Sequence, residues 1–380
     1  MLSRYRRKQH YAVHRHSFFS PGIPESTGLL RSQPSDFKVF EQLPFSPCGE
    51  GEHLFVYIRK TGANTVFVAR ELAKYFSIKE QLVSYAGLKD RFAVTEQWFG
   101  VHVPGKKEYD LSDLTIEGVE ILSYKRHNKK LRTGALTGNR FELILRNVTQ
   151  LKALHERWQN IIEQGVPNYF GEQRFGIDGG NLDRALALFS GTKIKDKKKR
   201  GMYLSAARSC IFNHIISERI KEKTFTQLQV GDVLMLAGTQ SVFHLNEVDD
   251  NIKQRFSEKD VDITASMWGT GELMTTDEPK ALELKIADNH SEFSQGLPRF
   301  GLKQERRRIR LVANDADIEV LTHETSPNEV SANDSLSTVK ISFTLAAGSY
   351  ATTVLRELID YQDGTQRVLT KESVNTEQGH

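Results

Sequence analysis

The feature that most constrains the fold lies near the end of the chain, in "VKISFTLAAGSYATTVLRELID". Val339, Ile341, Phe343 and Leu345 alternate with polar neighbours, the period of a strand that buries one face. Gly348 then turns the chain into a helical pattern. Ala313 to Thr338 is polar and rich in Asn, Asp, Ser and Thr, which reads as a long loop. A strand this regular so late in the chain is expected to return to the first domain's sheet.

Such a sheet is legible in the first 150 or so residues. "FKVFEQL" and "HLFVYIRK" are β-rich runs separated by the turn-forming "PFSPCGEGE". "NTVFVARELAKYF" switches to a helical period, with Asn64 as N-cap and Val68, Ala69, Leu72 and Phe76 on one face. "QLVSY" and "VTEQWFGVHV" read as strands on either side of Gly87-Leu88-Lys89-Asp90. "IEGVEILSYKR" and "NRFELILRNV" read as two more, the second alternating at Phe141, Leu143 and Leu145. A helix follows over Leu151–Gln164, and Gly165 and Pro167 stop it.

A domain boundary is placed there, because the texture changes. "NYFGEQRFGIDGGN" is glycine-rich, a lysine run follows, and "YLSAARSCIFNHIISERI" is a long helix burying Leu204, Ala207, Ile211, Phe212 and Ile215. Between about Gly231 and Leu302 short strands and helices mix without a readable order. "FGIDGGN" lacks both the GxxxxGK[ST] and the GxGxxG spacing, so Gly176, Gly179 and Gly180 are expected in tight turns and not in a phosphate loop.

A length of 380 residues suits about two domains, and 38% hydrophobic with 26% charged residues is a globular profile. No apolar run approaches the roughly 20 residues of a membrane-spanning helix, and the basic N-terminal stretch has no apolar core of signal-peptide length. Cys48 and Cys210 stand alone, without a CxxC pair, which suits a reducing cytoplasm. The twelve histidines show no HExxH-type spacing, so no metal is expected. Net charge is only +4, but basic residues cluster at Arg4–Lys8, Lys125–Arg132, Lys193–Arg200 and Arg306–Arg310. One such run is an ordinary solvated face. Four point to a polyanion partner, nucleic acid above all.

One carboxylate is singular. Asp90 sits between Lys89 and Arg91 at the tip of the hairpin-like "SYAGLKDRFAVTEQWFGV". Aspartate is a common turn residue, and structural duty is the ordinary explanation. A nearby cation that keeps it ionised would instead make it a nucleophile that needs no cofactor. Three functions remain open on these residues: such an enzyme, a non-catalytic RNA-binding protein or chaperone, and a hydrolase using a carboxylate pair. The last needs a second acid, for which Glu96 is the nearest candidate.

"AGLKDRFAVTEQWFGV" resembles the signature of the TruD family of tRNA pseudouridine synthases. "STGLLRSQPSDFKVFE", "PCGEGEH", "KLRTGALTGNRFEL", "GVPNYFGEQRFGIDGGNLDRA", "YLSAARSCIFN" and "FTLAAGSYATTVLREL" match it in order, from Thr27 to Asp360. The resemblance implies an α+β fold: a pseudouridine synthase core with a mixed β-sheet, residues 1–164 and 313–380, and an inserted α/β domain, 165–312. It implies Asp90 as the catalytic aspartate and Arg31 as its basic partner. Phe37, Asn139, Phe141 and Tyr350 would contact the target base, Phe141 and Tyr350 by stacking, whereas the role of Arg140 is not implied. Lys89, Arg91, Lys197, Lys198 and Lys199 are expected against RNA phosphates. The expected substrate is uridine-13 in the D-arm of a tRNA such as that for glutamate. No cofactor, no membrane contact, no obligate protein partner and a monomeric cytoplasmic chain complete the expectation.

Overall fold

A computed structural model describes residues 16–20, 22–105, 107–324 and 336–365. In chain order its strands and helices begin with β1 (Thr27–Leu30), β2 (Phe37–Gln42), β3 (His53–Thr61), α1 (Thr65–Tyr75), β4 (Val83–Tyr85), β5 (Val94–His102), β6 (Val119–His127), β7 (Gly138–Val148) and α2 (Leu151–Gln164). There follow β8 (Val166–Pro167), α3 (Gly180–Phe189), α4 (Lys197–Lys221), β9 (Val233–Leu236), β10 (Val242–His244), α5 (Asp250–Ser257), β11 (Val261–Met267), α6 (Asp277–Asn289) and α7 (Ser291–Gly296). The chain closes with β12 (Glu305–Arg308), β13 (Arg310–Leu311), β14 (Asn314–Glu324), β15 (Leu336–Ala346), α8 (Ala351–Leu358) and β16 (Asp360–Asp363). The described residues fall into two compact units.

The sheet unit comprises residues 24–162, 313–351 and those from 358 onward. Its ten-stranded mixed sheet runs β14-β15-β7-β2-β5-β3-β6, with β1 joining β7 to β16 and β4 pairing β5. The late strand does return. β15 pairs antiparallel with β7 from Ser337↔Val148 to Ala346↔Gly138. Gly138 is required at that rim, since a Cβ there would stand 2.2 Å from the carbonyl oxygen of Leu345. Rungs such as Val39–Phe141–Phe343 cross β2, β7 and β15 on one face. Trp158 of α2 covers that face with its ring 6.0 Å from Phe343, and truncating a buried tryptophan to alanine costs about 3–5 kcal/mol. Farther along, α1 buries Val68, Ala69 and Leu72 against Val56 and Ile58 of β3 and Phe99 of β5. Asn64 caps α1 by accepting from the backbone of Phe67 at 2.8 Å.

One expectation fails here. The polar stretch after Ala313 is not all loop, because Asn314–Glu324 forms an edge strand paired with β15. Along it Asp317, Glu319, Val320 and Leu321 are exposed. An edge strand wetted on both faces needs no apolar alternation, so the period-2 signal vanishes. Residues 325–335, the rest of that stretch, lie outside the described residues.

The helical unit comprises residues 163–312 with 352–357 and the described part of the first 23. It therefore takes in two short segments that the boundary at Gly165 had assigned elsewhere. Tyr169 donates to the carbonyl of Ser17, and the Phe19 amide donates to Glu357. Its core packs α3, α4 and α6 on a four-stranded sheet, β10-β9-β11-β12. Gly176 and Gly179 adopt φ near 75°, the turn use expected of them, whereas Gly180 has φ −56° and opens α3. The lysine run is also placed differently from the reading. Lys197–Lys199 form the first turn of α4, capped by Asp196, which accepts from the amides of Lys198 and Lys199.

Candidate active site

Asp90 lies on the connection between β4 and β5, strands that pair only as far as Tyr85↔Phe99. From Val94 onward β5 pairs with β2 as well as β3, so residues 86–93 lead into an interior strand of the sheet. Several bonds pin this loop. Gln97 donates to the carbonyl of Gly87 at 3.2 Å, Thr65 accepts from the Lys89 amide at 3.0 Å, and Arg91 donates to the carbonyl of Gly62 at 3.0 Å. Lys60 Nζ donates at 2.8 Å to both the Ala63 and the Asp90 carbonyls.

The carboxylate itself is held at both oxygens. Oδ1 of Asp90 accepts from the Phe92 amide at 3.0 Å, and Oδ2 pairs with Arg31 at 2.8 Å. Arg31 is 11% exposed and Asp90 32%, so the pair sits at a boundary where water reaches the acid more than its partner. Arg31 also pairs with Asp363 at 3.1 Å, and its guanidinium lies 4.1 Å over the ring of Phe37. Its φ of 57° is the left-handed conformation, which costs a non-glycine residue on the order of 1–3 kcal/mol and persists only where the surroundings fix it.

One face of the sheet carries Phe37, Asn139 and Phe141, whereas Tyr350 lies beyond the end of β15. Phe37 and Val39 stand beside Leu143 and Phe141, and Glu41 stands beside Asn139 at the rim of the same face. Phe141 is 6% exposed and stacks on Phe343 at 5.5 Å, so little of its ring is open. Tyr350 differs, being 42% exposed just ahead of α8. Arg140 pairs with Glu142 at 2.8 Å and lies over Phe40.

Lys89 does not occupy the surface position expected of a phosphate contact. Its side chain is 8% exposed, pairs with the buried Glu41 at 2.9 Å and donates to Asn139 Oδ1 at 2.8 Å. The apolar ladder thus ends in an ionic clamp that engages the side-chain oxygen of Asn139. Arg91 remains exposed, as do Lys197, Lys198 and Lys199 in the other unit. The run Arg306–Arg310 is a second correction. Arg306 pairs with buried Glu283 at 2.9 Å and Arg310 with buried Asp262 at 3.1 Å, so these cations hold the helical unit together. Arg4–Lys8 lies outside the described residues. Glu96 is engaged by Arg59 at 2.9 Å and by the hydroxyl of Tyr57 at 2.8 Å, which ties up the second acid of the hydrolase reading.

Lys60 and Asp363 were not singled out from sequence. The signal for Lys60 was present: Val56, Ile58 and Lys60 fall on the buried side of β3, and a lysine at a core-facing position is rare unless it has work there. Burial lowers its pKa to about 8, against an opposing pull from Asp90 and a further push down from Lys89. Asp363 lies in a polar tail with no pattern to mark it.

The chain matches the family described as tRNA pseudouridine synthase D (TruD) over residues 16–184 and 190–358. It is 73% identical over 358 residues to tRNA pseudouridine synthase D of Colwellia psychrerythraea, covering 94% of this chain and 96% of that one. It is 44% identical over 361 residues to the protein of the same name from Aeromonas salmonicida, covering 94% and 97%. A crystal structure of a tRNA pseudouridine synthase D (TruD) from Methanosarcina mazei aligns with a TM-score of 0.68 at 19% identity, covering 93% of this chain and 98% of that one, and shows the shared fold. Fold and family define the class: an isomerase of the pseudouridine synthases, α+β in architecture. Within that class the chain belongs to the TruD family of tRNA pseudouridine synthases. Among the described residues no helix is long and apolar enough to cross a membrane.

Proposed function

We propose that this protein converts uridine-13 in the D-arm of tRNA, such as that for glutamate, to pseudouridine, with Asp90 as nucleophile. The observation that carries the reading is the Arg31–Asp90 pair, 2.8 Å long, on a loop pinned to three surrounding elements. A fixed carboxylate held against a cation stays ionised when docking RNA removes water and brings phosphates near. The target uridine must leave its stack first, because its reacting atoms are shielded inside folded RNA. Tyr350, with its open ring, gives the flipped base a stacking surface. Phe37 and Phe141 floor the site, and Asn139 donates its amide hydrogens to the base or sugar edge.

Two routes are open to Asp90. It attacks C1′ and displaces uracil as the glycosidic C–N bond breaks, or it adds to C6 and loosens that bond from the base side. In both the base rotates, C5 bonds to C1′, the C5 proton is lost to solvent while N1 takes one up, and the carboxylate is regenerated as its bond to the nucleoside breaks. No atoms are gained or lost overall and no electrons change hands, so the isomerisation is complete with these groups.

The reading of position is tested by incubating the purified protein with unmodified tRNA(Glu) transcript and mapping pseudouridine by chemical sequencing. Modification at position 13 is the expected result. Modification elsewhere would retain the chemistry and overturn the site assignment.

A further inference from the structure

We propose that Cys210, His214 and His290 form a binding site for a thiophilic divalent cation of the zinc class, with His16 beside them as a third imidazole. The site lies in the helical unit and is independent of the chemistry at Asp90. Cys210 and His214, four residues apart, share one face of α4, and Cys210 Sγ lies 3.6 Å from His214 Nδ1. His290 follows the last residue of α6 and places its ring 4.2 Å from that of His214. One ligand atom from each of the three lies within 4.8 Å of the others. Zinc takes sulfur at about 2.3 Å and nitrogen at about 2.0–2.1 Å, so its tetrahedral donors stand roughly 3.3–3.7 Å apart. Closing this cluster therefore takes about an ångström of side-chain rotation.

Three further observations favour a soft metal. His214 Nδ1 is 2.8 Å from the Cys210 carbonyl. That bond orients the ring, as the outer hydrogen bonds of ligating histidines commonly do. His16, buried, meets the ring of His214 edge-on at 4.8 Å and stacks on Tyr169 at 5.0 Å. The donors are sulfur and imidazole with no carboxylate among them, which selects zinc-like ions over magnesium or calcium. Binding breaks the S–H bond of Cys210, forms an S–metal bond and releases the proton to solvent, without oxidation or reduction.

The test titrates the full-length protein, stripped with a chelator, with Co²⁺ alone and then displaces it with Zn²⁺. The expected result is one equivalent of tetrahedral cobalt with a thiolate-to-cobalt absorption band, unchanged in Cys48→Ser, which removes the exposed cysteine. In Cys210→Ala the band should vanish and the dissociation constant rise at least tenfold. Should that variant not fold, His214→Gln, at a half-buried position, replaces it and should weaken binding by a similar factor. Absence of stoichiometric uptake, or a thiolate band that survives Cys210→Ala, would overturn the site.

Discussion

The side-chain nitrogen of Lys60, a residue with no exposed surface, lies 2.8 Å from the main-chain carbonyl of Asp90. A lysine so buried is costly, and here its charge is shared between the carbonyls of Ala63 and Asp90, which ties the Asp90 loop to the segment between β3 and α1. Replacing it with methionine keeps the volume and removes the donor. A charge-assisted hydrogen bond of this kind contributes about 1.5–3 kcal/mol, so Lys60→Met should slow single-turnover isomerisation by roughly tenfold or more with tRNA affinity kept. Unchanged turnover would make the lysine a packing residue only.

The same lysine predicts a pH effect with a definite sign. With its pKa lowered from 10.5 to about 8, Lys60 loses its proton in the folded protein as pH rises through about 8. Its positive charge beside Asp90 then fades, so the rate should fall on the alkaline side of that value. Stability moves the other way. Between about 8 and 10.5 the unfolded chain binds more protons at this residue than the folded one, so the contribution of Lys60 to stability rises with pH. A rate profile and an unfolding profile recorded over pH 7–10 should diverge in this way, and Lys60→Met should remove both slopes.

Arg31 is predicted to act through its charge. Arg31→Ala leaves Asp90 and Asp363 facing each other without the cation that now bridges them, and turnover should fall at least a hundredfold. Arg31→Lys keeps a charge but not the two-pronged reach to Asp90 and Asp363, and should fall much less. Equal losses in the two variants would show that geometry, not charge, is what the pair supplies.

Tyr350 should tolerate phenylalanine and not alanine. Stacking uses the ring face, and losing a base–aromatic stack costs about 1–3 kcal/mol. Steady-state kinetics on the two variants test this. Comparable damage from Tyr350→Phe would assign a role to the hydroxyl.

Neutralising Lys197, Lys198 and Lys199 together should weaken tRNA binding and lower the slope of log K against log salt by roughly 2, if each meets one phosphate. The substitution spares the helix cap, which uses their backbone amides and Asp196. An unchanged salt slope would take this turn of α4 off the RNA-contacting surface.

Much of this was legible in the sequence, and the failures have physical causes. Strands with one buried face, such as β7 and β15, announced themselves by alternation, and α1 and α2 by their apolar stripes and stop signals. β14 did not, because an edge strand in water has no face to bury. Asp90 and Arg31 could be paired only through the family resemblance, since nothing local at either residue indicates the other. Lys89 and Arg306–Arg310 misled for one reason. A run of cations looks the same whether it faces solvent or buried carboxylates, and the acids that claim these side chains, Glu41, Glu283 and Asp262, are distant in sequence. The Cys210–His214–His290 cluster was hidden likewise, its third member lying at the junction after α6 and distant in sequence.

The central claim is that Asp90 carries out the reaction, and Asp90→Asn tests it most directly. The substitution keeps the size of the side chain and an oxygen able to accept from the Phe92 amide, while removing the nucleophile and the charge that Arg31 holds. The measurement is single-turnover release of tritium from C5-labelled uridine in tRNA, run beside filter binding of the same RNA. The account predicts no detectable release, with affinity within a few-fold of the parent protein. Near-normal release by Asp90→Asn would contradict it.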